Sequence, residues 1–465
     1  MKKITASIFG FLIGVTACET PSEFLDQNPS NLFTPNTLEE LNGVLNNPTV
    51  SFSRCLNLDL MDPDVFMDAR SYAGIRGIPS EERAYQWNHE LYDEFEDDPD
   101  YLKGYNNIFI FNEVLEVIDE AAAGDYSERD REILKGEALA QRAMEFFLLL
   151  NEYAPHPDPG NPGLPGIPMP LKVDIDAQLS RSSVQEVYAQ ILTDLHMALT
   201  LWGDQREVRI ENANFRPGLA GVYGLLAEVY LYLGDFEQAA TYGQLCLERY
   251  DFMYDYNAIE LRDRDDKWQG LDQEELYFAT TNRSVIWSRD HRFDYSFQYQ
   301  LYHPELETLY DKPNDRRWYF WSTQRTLFGD DLSPYYIMAI SQMDTNIGIT
   351  VPRVLLTTAE ALVREGMVEQ GIQLLEQLQA HRLANVRPFN MPAQSEALQM
   401  IKEERRKELV GTTLNLQDQK RYHAYGEEVP AYTRLVDAFA YVLLPGSEGY
   451  YLAIPKKVRN TNPNL

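Results

Sequence analysis

Apolar residues recur every three or four positions along most of this chain, a spacing typical of amphipathic α-helices. The spacing predicts helices over residues 101–123 and 128–153. A third helix is predicted to begin after Ser183, because Glu186 stands three positions later and the two side chains form a capping box. The hydrophobic pattern therefore indicates a largely helical protein.

The same frame of small and apolar residues occurs twice. In each copy a Gly stands seven positions after an Ala. An apolar residue stands two positions after that Gly, and a small residue stands three positions after the apolar one. The Gly supplies a tight turn and the small residues let two antiparallel helices approach closely, as in tetratricopeptide repeats. The copies are Ala227, Gly234, Phe236 and Ala239, and Ala359, Gly366, Val368 and Gly371.

These patterns predict an all-α fold in which tetratricopeptide-like helical hairpins form a superhelical scaffold, with an irregular, loop-rich subdomain. The predicted divisions are a signal peptide (1–17), an acylated anchor with an extended arm (18–37), a helical-repeat N-terminal part (38–260), an irregular aromatic-rich ligand-side region (261–345), and a C-terminal hairpin with a closing segment (346–465).

The N-terminus has the layout of a secretory signal. Lys2 and Lys3 precede an apolar stretch from Ile4 to Val15, which is too short to be a membrane-spanning helix. Thr16 and Ala17 follow and lead to Cys18, an ending that resembles a bacterial lipobox. We expect Cys18 to be acylated, with palmitate among the chains, and to tether the protein to a membrane surface; an ordinary signal with a chance cysteine is the alternative.

Charge excludes one class of partner. The formal net charge is −31, and it becomes −33 when residues 1–17, with two lysines and no acids, are removed. A field of this sign repels phosphates, which argues against DNA or RNA as a ligand. Cys55 and Cys246 offer no disulfide framework, and Cys246 lies between leucines in a predicted helix, so we expect it to be buried.

Several segments, taken in order, resemble the SusD/RagB family of nutrient-uptake lipoproteins from the outer membrane of Bacteroidetes. The arm after Cys18, Phe215 to Leu247, and Glu403 to Leu409 resemble the family's start, its helical hairpin and its late acidic-basic helix. The remaining matching pieces are Gly136-Glu137-Ala138, Arg142-Ala143, Phe146-Phe147, Gly166-Ile167-Pro168 with Pro170, Ser182 to Tyr188, Ile454-Pro455 and Asn462 to Leu465.

The resemblance implies a function. Such proteins act as cell-surface lids that capture an oligosaccharide or a peptide and deliver it to a SusC-like TonB-dependent β-barrel transporter in the outer membrane. The chain departs from the family after the late helix, where Gly411 to Leu416 replaces a Glu-Gly-His-Arg-Trp-like turn, and it lacks the usual Gln-Asn-Pro-Gly tail. These departures put the substrate class in doubt.

Aromatic side chains suggest where a ligand binds, because sugars stack their apolar faces on rings while polar groups contact the hydroxyls. The segment from Trp268 to Tyr336 is aromatic-rich and contains basic residues. Trp318 and Trp321 are three positions apart and would share a helix face as a platform. The alternative is that these rings form the core of an irregular subdomain, as we expect for Trp87 and Trp202. The candidate ligand residues are Trp268, Trp287, Arg289, Tyr295, Trp318, Tyr319 and Trp321.

The sequence contains no recognisable catalytic motif, and we expect no enzyme activity and no cofactor. Its seven histidines are scattered and no metal-ligand spacing occurs among them. Asp59, Asp62 and Asp64 suggest calcium, but Pro63 and the lack of a Gly favour a solvated acidic turn. Two alternatives remain: a helical-repeat envelope scaffold without a small ligand, and a helical glycosidase.

Overall fold

The computed structural model of this protein describes residues 35–52, 55–174, 176–291, 299–339, 345–386 and 390–465. The predicted signal peptide, the lipid-anchor residue Cys18 and the candidate ligand residue Tyr295 lie outside these ranges. Within them, no helix is both long enough and apolar enough to span a bilayer.

The fold is helical, as the hydrophobic pattern predicts. Its α-helices are α1 (Leu38–Leu45), α2 (Ala69–Tyr72), α3 (Pro79–Tyr85), α4 (Pro99–Val117), α5 (Glu128–Tyr153), α6 (Val184–Trp202), α7 (Leu219–Leu233), α8 (Phe236–Arg249), α9 (Pro304–Leu309), α10 (Arg316–Trp321), α11 (Val351–Arg364), α12 (Val368–Ala380), α13 (Gln394–Glu408), α14 (Leu414–Ala424) and α15 (Lys456–Thr461).

Helix boundaries follow local chemistry. Helix α5 has the predicted limits, and α6 begins at the predicted capping box, in which Ser183 N–H donates to Oε2 of Glu186 at 2.8 Å. Helix α4 stops at Val117, earlier than the predicted end at residue 123. The reason is that Ala122 exchanges backbone hydrogen bonds with the strand-like segment just before α1, which pulls the chain out of the helix.

The repeated sequence frame forms two helical hairpins, α7–α8 and α11–α12. Gly234 and Gly366 adopt φ values of +75° and +81° at the two turns, a left-handed conformation that a side chain disfavours. Helix α8 packs against α11, so the two hairpins are stacked on each other. The tetratricopeptide-like prediction is confirmed.

The other long helices extend this stack. Helix α4 packs against α5, α5 against α6, α6 against α7, and α13 lies against α11. One large apolar cluster runs through these layers. It includes Trp87 and Trp202, which are core residues as predicted, and Cys246, whose Sγ donates to the carbonyl of Ala220.

Short strands lie between α8 and α11 in the sequence, and a further one precedes α2. They are β1 (Val65–Phe66), β2 (Val285–Trp287), β3 (Asp290–His291), β4 (Leu301–Tyr302), β5 (Ser322–Thr323), β6 (Ile337–Met338), β7 (Thr345–Asn346) and β8 (Ile349–Thr350). The strands β1, β4, β6 and β5 pair in that order in an antiparallel sheet, and β1 places Val65 opposite Tyr302. The sheet thus brings the segment around residue 65 against the aromatic-rich region.

A β-hairpin that the sequence analysis did not predict follows α14. Strands β9 (Tyr432–Val436) and β10 (Phe439–Leu443) pair in full antiparallel register. The Arg434 side chain points inward from β9, and its guanidinium lies 4.1 Å from the ring centroids of both Tyr85 and Trp87. This packing fixes the hairpin to the C-terminal end of α3.

Candidate ligand-binding cleft

A cleft with about 1010 Å³ of empty space lies between the C-terminal end of α13 and the short strands β4 and β6. Its walls combine aromatic rings with charged side chains, the composition that a site for polar ligands with apolar faces requires. The residues that define it are Tyr254, Tyr256, Tyr302, Tyr310, Trp321, Arg317, Arg382, Lys407 and Glu408.

An ion-pair network holds the charged wall in place. Arg382 Nη2 lies 2.8 Å from Glu408 Oε1, and Arg317 Nη1 lies 2.8 Å from Glu408 Oε2. Burial raises the pKa of Glu408, but Arg382 and Arg317 outweigh burial and hold that pKa below its ordinary value. Arg382 also lies 4.1 Å above the ring of Tyr256. The network therefore orients both a ring and a fixed negative charge toward the cleft.

Trp318 and Trp321 occupy different environments, although they are neighbours on α10. Trp321 is half-buried and lines the cleft. Trp318 is buried behind the wall, with ring centroids of Tyr310 at 5.2 Å and Tyr302 at 5.4 Å, and Lys312 Nζ lies 4.4 Å from its ring. Trp318 supports two rings that line the cleft, and Trp321 presents its own ring there.

The remaining described candidates lie away from the cleft surface. Trp268 is buried and donates from Nε1 to the carbonyl of Arg325 at 2.9 Å. Tyr319 is half-buried in a small apolar cluster with Phe320, and Lys267 lies over its ring. Both side chains pack within the irregular region.

Trp287 and Arg289 are fully buried in and beside β2, with relative exposures of 0 %. Trp287 Nε1 donates to the carbonyl of Phe215 at 3.2 Å, and Arg289 Nε lies 3.0 Å from Glu145 Oε1. The Arg289 contact joins the short strands to α5, and the Trp287 contact joins them to the loop before α7. Both residues therefore belong to the core, and Trp321 is the one described candidate that lines the cleft.

Sequence reasoning missed several residues of the cleft. Tyr254, Tyr256 and Arg382 precede or follow the predicted ligand-side region, and Glu408 belongs to the late acidic-basic helix that the family resemblance had marked. That helix was the available signal, because a run of alternating charges in an otherwise apolar fold requires partners. The partners themselves are distant in sequence.

The acidic turn at Asp59, Asp62 and Asp64 was predicted to be solvated, and this prediction is wrong. All three side chains are buried, with relative exposures of 4 %, 6 % and 5 %. Arg406 compensates one charge, because its Nε donates to Asp64 Oδ1 at 2.7 Å. In the described part of the chain no three His, Cys, Asp or Glu side chains are grouped in a way that would hold a metal ion.

Residues 23–231 match the model of the SusD-like family described as "Starch-binding associating with outer membrane". This match places residues 23–231 in the SusD/RagB family, as the sequence motifs predicted. The match covers the arm, α4, α5 and the first repeat helix, which carry most of the motifs that indicated the family from sequence. A search of curated proteins found no match.

Solved SusD-like structures share the fold over nearly the whole chain. A SusD superfamily protein from Bacteroides fragilis is 17 % identical with a TM-score of 0.71, over 93 % of this chain and 100 % of its own. A SusD-like carbohydrate binding protein from Bacteroides vulgatus is 20 % identical with a TM-score of 0.67, over 92 % and 97 %. The surface glycan-binding protein A from Bacteroides uniformis is 14 % identical with a TM-score of 0.67, over 92 % and 98 %. At these identities the similarity establishes the fold alone.

Proposed function

We propose that this protein is a cell-surface binding lipoprotein that captures an oligosaccharide in the aromatic cleft. The observation that carries the proposal is the juxtaposition of five aromatic rings with a fixed set of charged groups in one open cleft. Rings offer stacking surfaces to sugar faces, and charged groups bind hydroxyls through strong hydrogen bonds. The family description, which names starch binding, supports this class of ligand.

The cellular role that we propose is that of a lid. Acylation of Cys18 would hold the protein on the outer membrane, facing the cell exterior, where it would close over a SusC-like TonB-dependent transporter. A tether keeps the lid near its barrel even when their contact opens, because it raises the effective concentration. The family description, which names association with the outer membrane, supports this location.

We propose binding without catalysis. A glycosidase needs two carboxyl groups on opposite sides of the bond that it cleaves. Glu408 is the one carboxylate among the described cleft residues, and its two arginine partners keep it ionised. Asp62 and Asp64 lie next to the cleft, but they belong to a single turn in which Asp64 N–H donates to Asp62 Oδ1 at 2.9 Å. Carboxylates on one turn do not flank a substrate.

Calorimetric titration with neutral oligosaccharides tests the binding role. The probes are maltoheptaose, cellohexaose and xylohexaose, and the variants are Trp321→Ala and the control Phe95→Ala, which removes an 84 % exposed ring outside the cleft. We expect at least one probe to bind, Trp321→Ala to weaken it ten-fold or more, and Phe95→Ala to leave it unchanged. Equal affinity of Trp321→Ala and the unaltered protein would place the site elsewhere.

Purification of the tagged protein from its own membrane in mild detergent tests the lid role. A large β-barrel that elutes in stoichiometric amount is the expected result. If no barrel elutes and no oligosaccharide binds, the helical-repeat scaffold becomes the better explanation.

A further inference from the structure

A second recess lies beside the aromatic cleft and contains about 500 Å³ of empty space, part of which is open to solvent. The two share a wall, since Tyr302, Met338 and Val410 line both. A ligand held in the cleft therefore lies directly beside the recess. The polar side chains of the recess differ from those of the cleft, where arginines dominate.

Three buried carboxylates, Asp59, Asp62 and Asp64, line the recess. Arg406 pairs with Asp64. Asp62 accepts hydrogen bonds from the backbone N–H of Asp64 at 2.9 Å and from Asn415 Nδ2 at 3.4 Å. Among the described residues it forms no salt bridge. The carboxylate of Asp62 is thus buried and bonded by neutral donors alone.

Other polar groups of the recess have unused hydrogen-bonding capacity. Thr413 is 2 % exposed, and its Oγ1 has no hydrogen-bond partner among the described residues. The same is true of Gln300 Nε2 and of the second carboxylate oxygen of Asp64, Oδ2. Buried polar atoms are normally paired, so this group of unpaired atoms around one cavity indicates a bound polar group.

The charges of the side chains around the recess determine which kind of polar group can bind there. Two guanidinium groups are near the carboxylates, but Arg434 is occupied by backbone carbonyls, donating from Nη2 to Asp62 O at 2.6 Å. Burial lowers the pKa of His303, which favours its neutral form. Asp62 thus has no cationic side-chain partner among the described residues, so the recess suits a cation better than an anion.

We propose that the recess binds a primary ammonium group of the ligand. Its three N–H donors and single positive charge complement the Asp62 carboxylate, the Asp64 Oδ2 atom and the Thr413 hydroxyl. This inference rests on the proposed function, because it adds a specificity to the same ligand site. Two sources carry this group: an amino sugar within an oligosaccharide, and the lysine side chain of a peptide.

The test compares glucosamine hexaose with N-acetylglucosamine hexaose, which has the same rings and linkages but no charge on nitrogen. Calorimetry uses the full chain in detergent micelles. We expect glucosamine hexaose to bind at least ten-fold more tightly, and Asp62→Asn to reduce this ratio to about one. Asp125→Asn is the control, because it removes the same charge from an exposed position outside the recess and is expected to preserve the ratio. Circular dichroism checks that both variants are folded.

Equal affinity for the two hexaoses, or a preference that persists in Asp62→Asn, would overturn the ammonium site. If neither hexaose binds but neutral oligosaccharides do, the cleft is retained and the ammonium site is rejected. If no sugar binds at all, the peptide Gly-Lys-Gly tests the recess by itself. Binding that depends on Asp62 would then support the peptide source, and no binding would reject the site.

Discussion

Nη2 of Arg405 lies 2.9 Å from Oε1 of Glu228, deep between α13 and α7. Both side chains are almost completely buried, and Arg405 also pairs with Asp418 at 2.7 Å. The neighbouring side chains of α13 form similar pairs with other parts of the chain: Glu404 with Arg317, Arg406 with Asp64, and Glu408 with Arg382. Helix α13 thus connects the helical stack to the cleft and to the recess beside it.

Substitution of Arg405 by Met is expected to lower the free energy of unfolding by about 3–5 kcal/mol, because it removes one of the two buried arginine partners from both Glu228 and Asp418. Urea unfolding followed by circular dichroism measures this change. The control is Arg264→Met, which breaks an exposed pair with Glu260 and should cost less than about 1 kcal/mol. Similar effects of the two substitutions would contradict a structural role for the buried network.

Acid should weaken the same network. Burial raises the pKa of Glu228, but Arg353 and Arg405 outweigh it and lower that pKa to about 2. A carboxyl with a folded pKa below its unfolded value stabilises the protein above pH of about 4.5, and this contribution disappears as the pH falls toward 2. We expect the free energy of unfolding to fall steeply between pH 5 and pH 2, and less steeply in Glu228→Gln. A pH-independent stability would refute this role.

Asp62 should act in the opposite direction. Burial and the neighbouring charge of Asp64 raise its pKa to about 7. A carboxyl with a raised folded pKa lowers stability as the pH increases from about 4 to about 7, since the unfolded chain ionises first. Relative to the unaltered protein, Asp62→Asn should gain on the order of 2 kcal/mol between pH 5 and pH 8. If the free energies of unfolding of the two proteins changed with pH in parallel, the pKa of Asp62 would not be raised in the folded state.

Trp318 and Trp321 should respond differently to truncation. Trp318→Ala removes a buried ring and should cost about 3–5 kcal/mol, because a large cavity remains. Trp321→Ala should cost less, because that ring is half-buried. Thermal and urea unfolding of both variants test this contrast. Equal losses of stability would contradict the different placement of the two rings.

In the second repeat hairpin, α12 packs so closely against α11 that Gly371 has no room for a side chain. An added Cβ would lie 2.5 Å from Val363 Cγ2 and 2.8 Å from the carbonyl oxygen of Ala359. Gly371→Ala should therefore destabilise by about 1–3 kcal/mol despite the better helix propensity of Ala. Gly43→Ala in α1 is the matched control, since no atom lies within 4 Å of its added Cβ. That variant should gain about 0.5–1 kcal/mol.

The scaffold was predictable because its determinants are local. The Ser183 capping box and the glycines at 234 and 366 each act within a few residues, and helical periodicity is sufficient to place the hairpins. The hairpin of β9 and β10 escaped prediction because Arg434 occupies an inward-facing position where an apolar residue would complete the alternation. Its partners, Tyr85 and Trp87, are about 350 residues earlier in the chain.

The ligand site was less predictable because its determinants are distant. Periodicity does not distinguish a short strand that is buried on both faces from a loop, so Trp287 and Arg289 resembled surface residues. The burial of Asp62 and Asp64 depends on Arg406 and Arg434, which precede and follow α14. Contacts between residues so far apart in the sequence cannot be recognised from composition or from the spacing of residues.

Helix α13 places a restriction on how this protein can diversify. Its charged side chains point to separate partners around the helix, and one residue added to an α-helix rotates everything after it by about 100°. An insertion before Glu404 would therefore misdirect the pairs of Glu404, Arg405, Arg406 and Glu408 together. Loops that border the cleft can change length without disturbing these pairs, whereas the register of α13 has to be inherited intact.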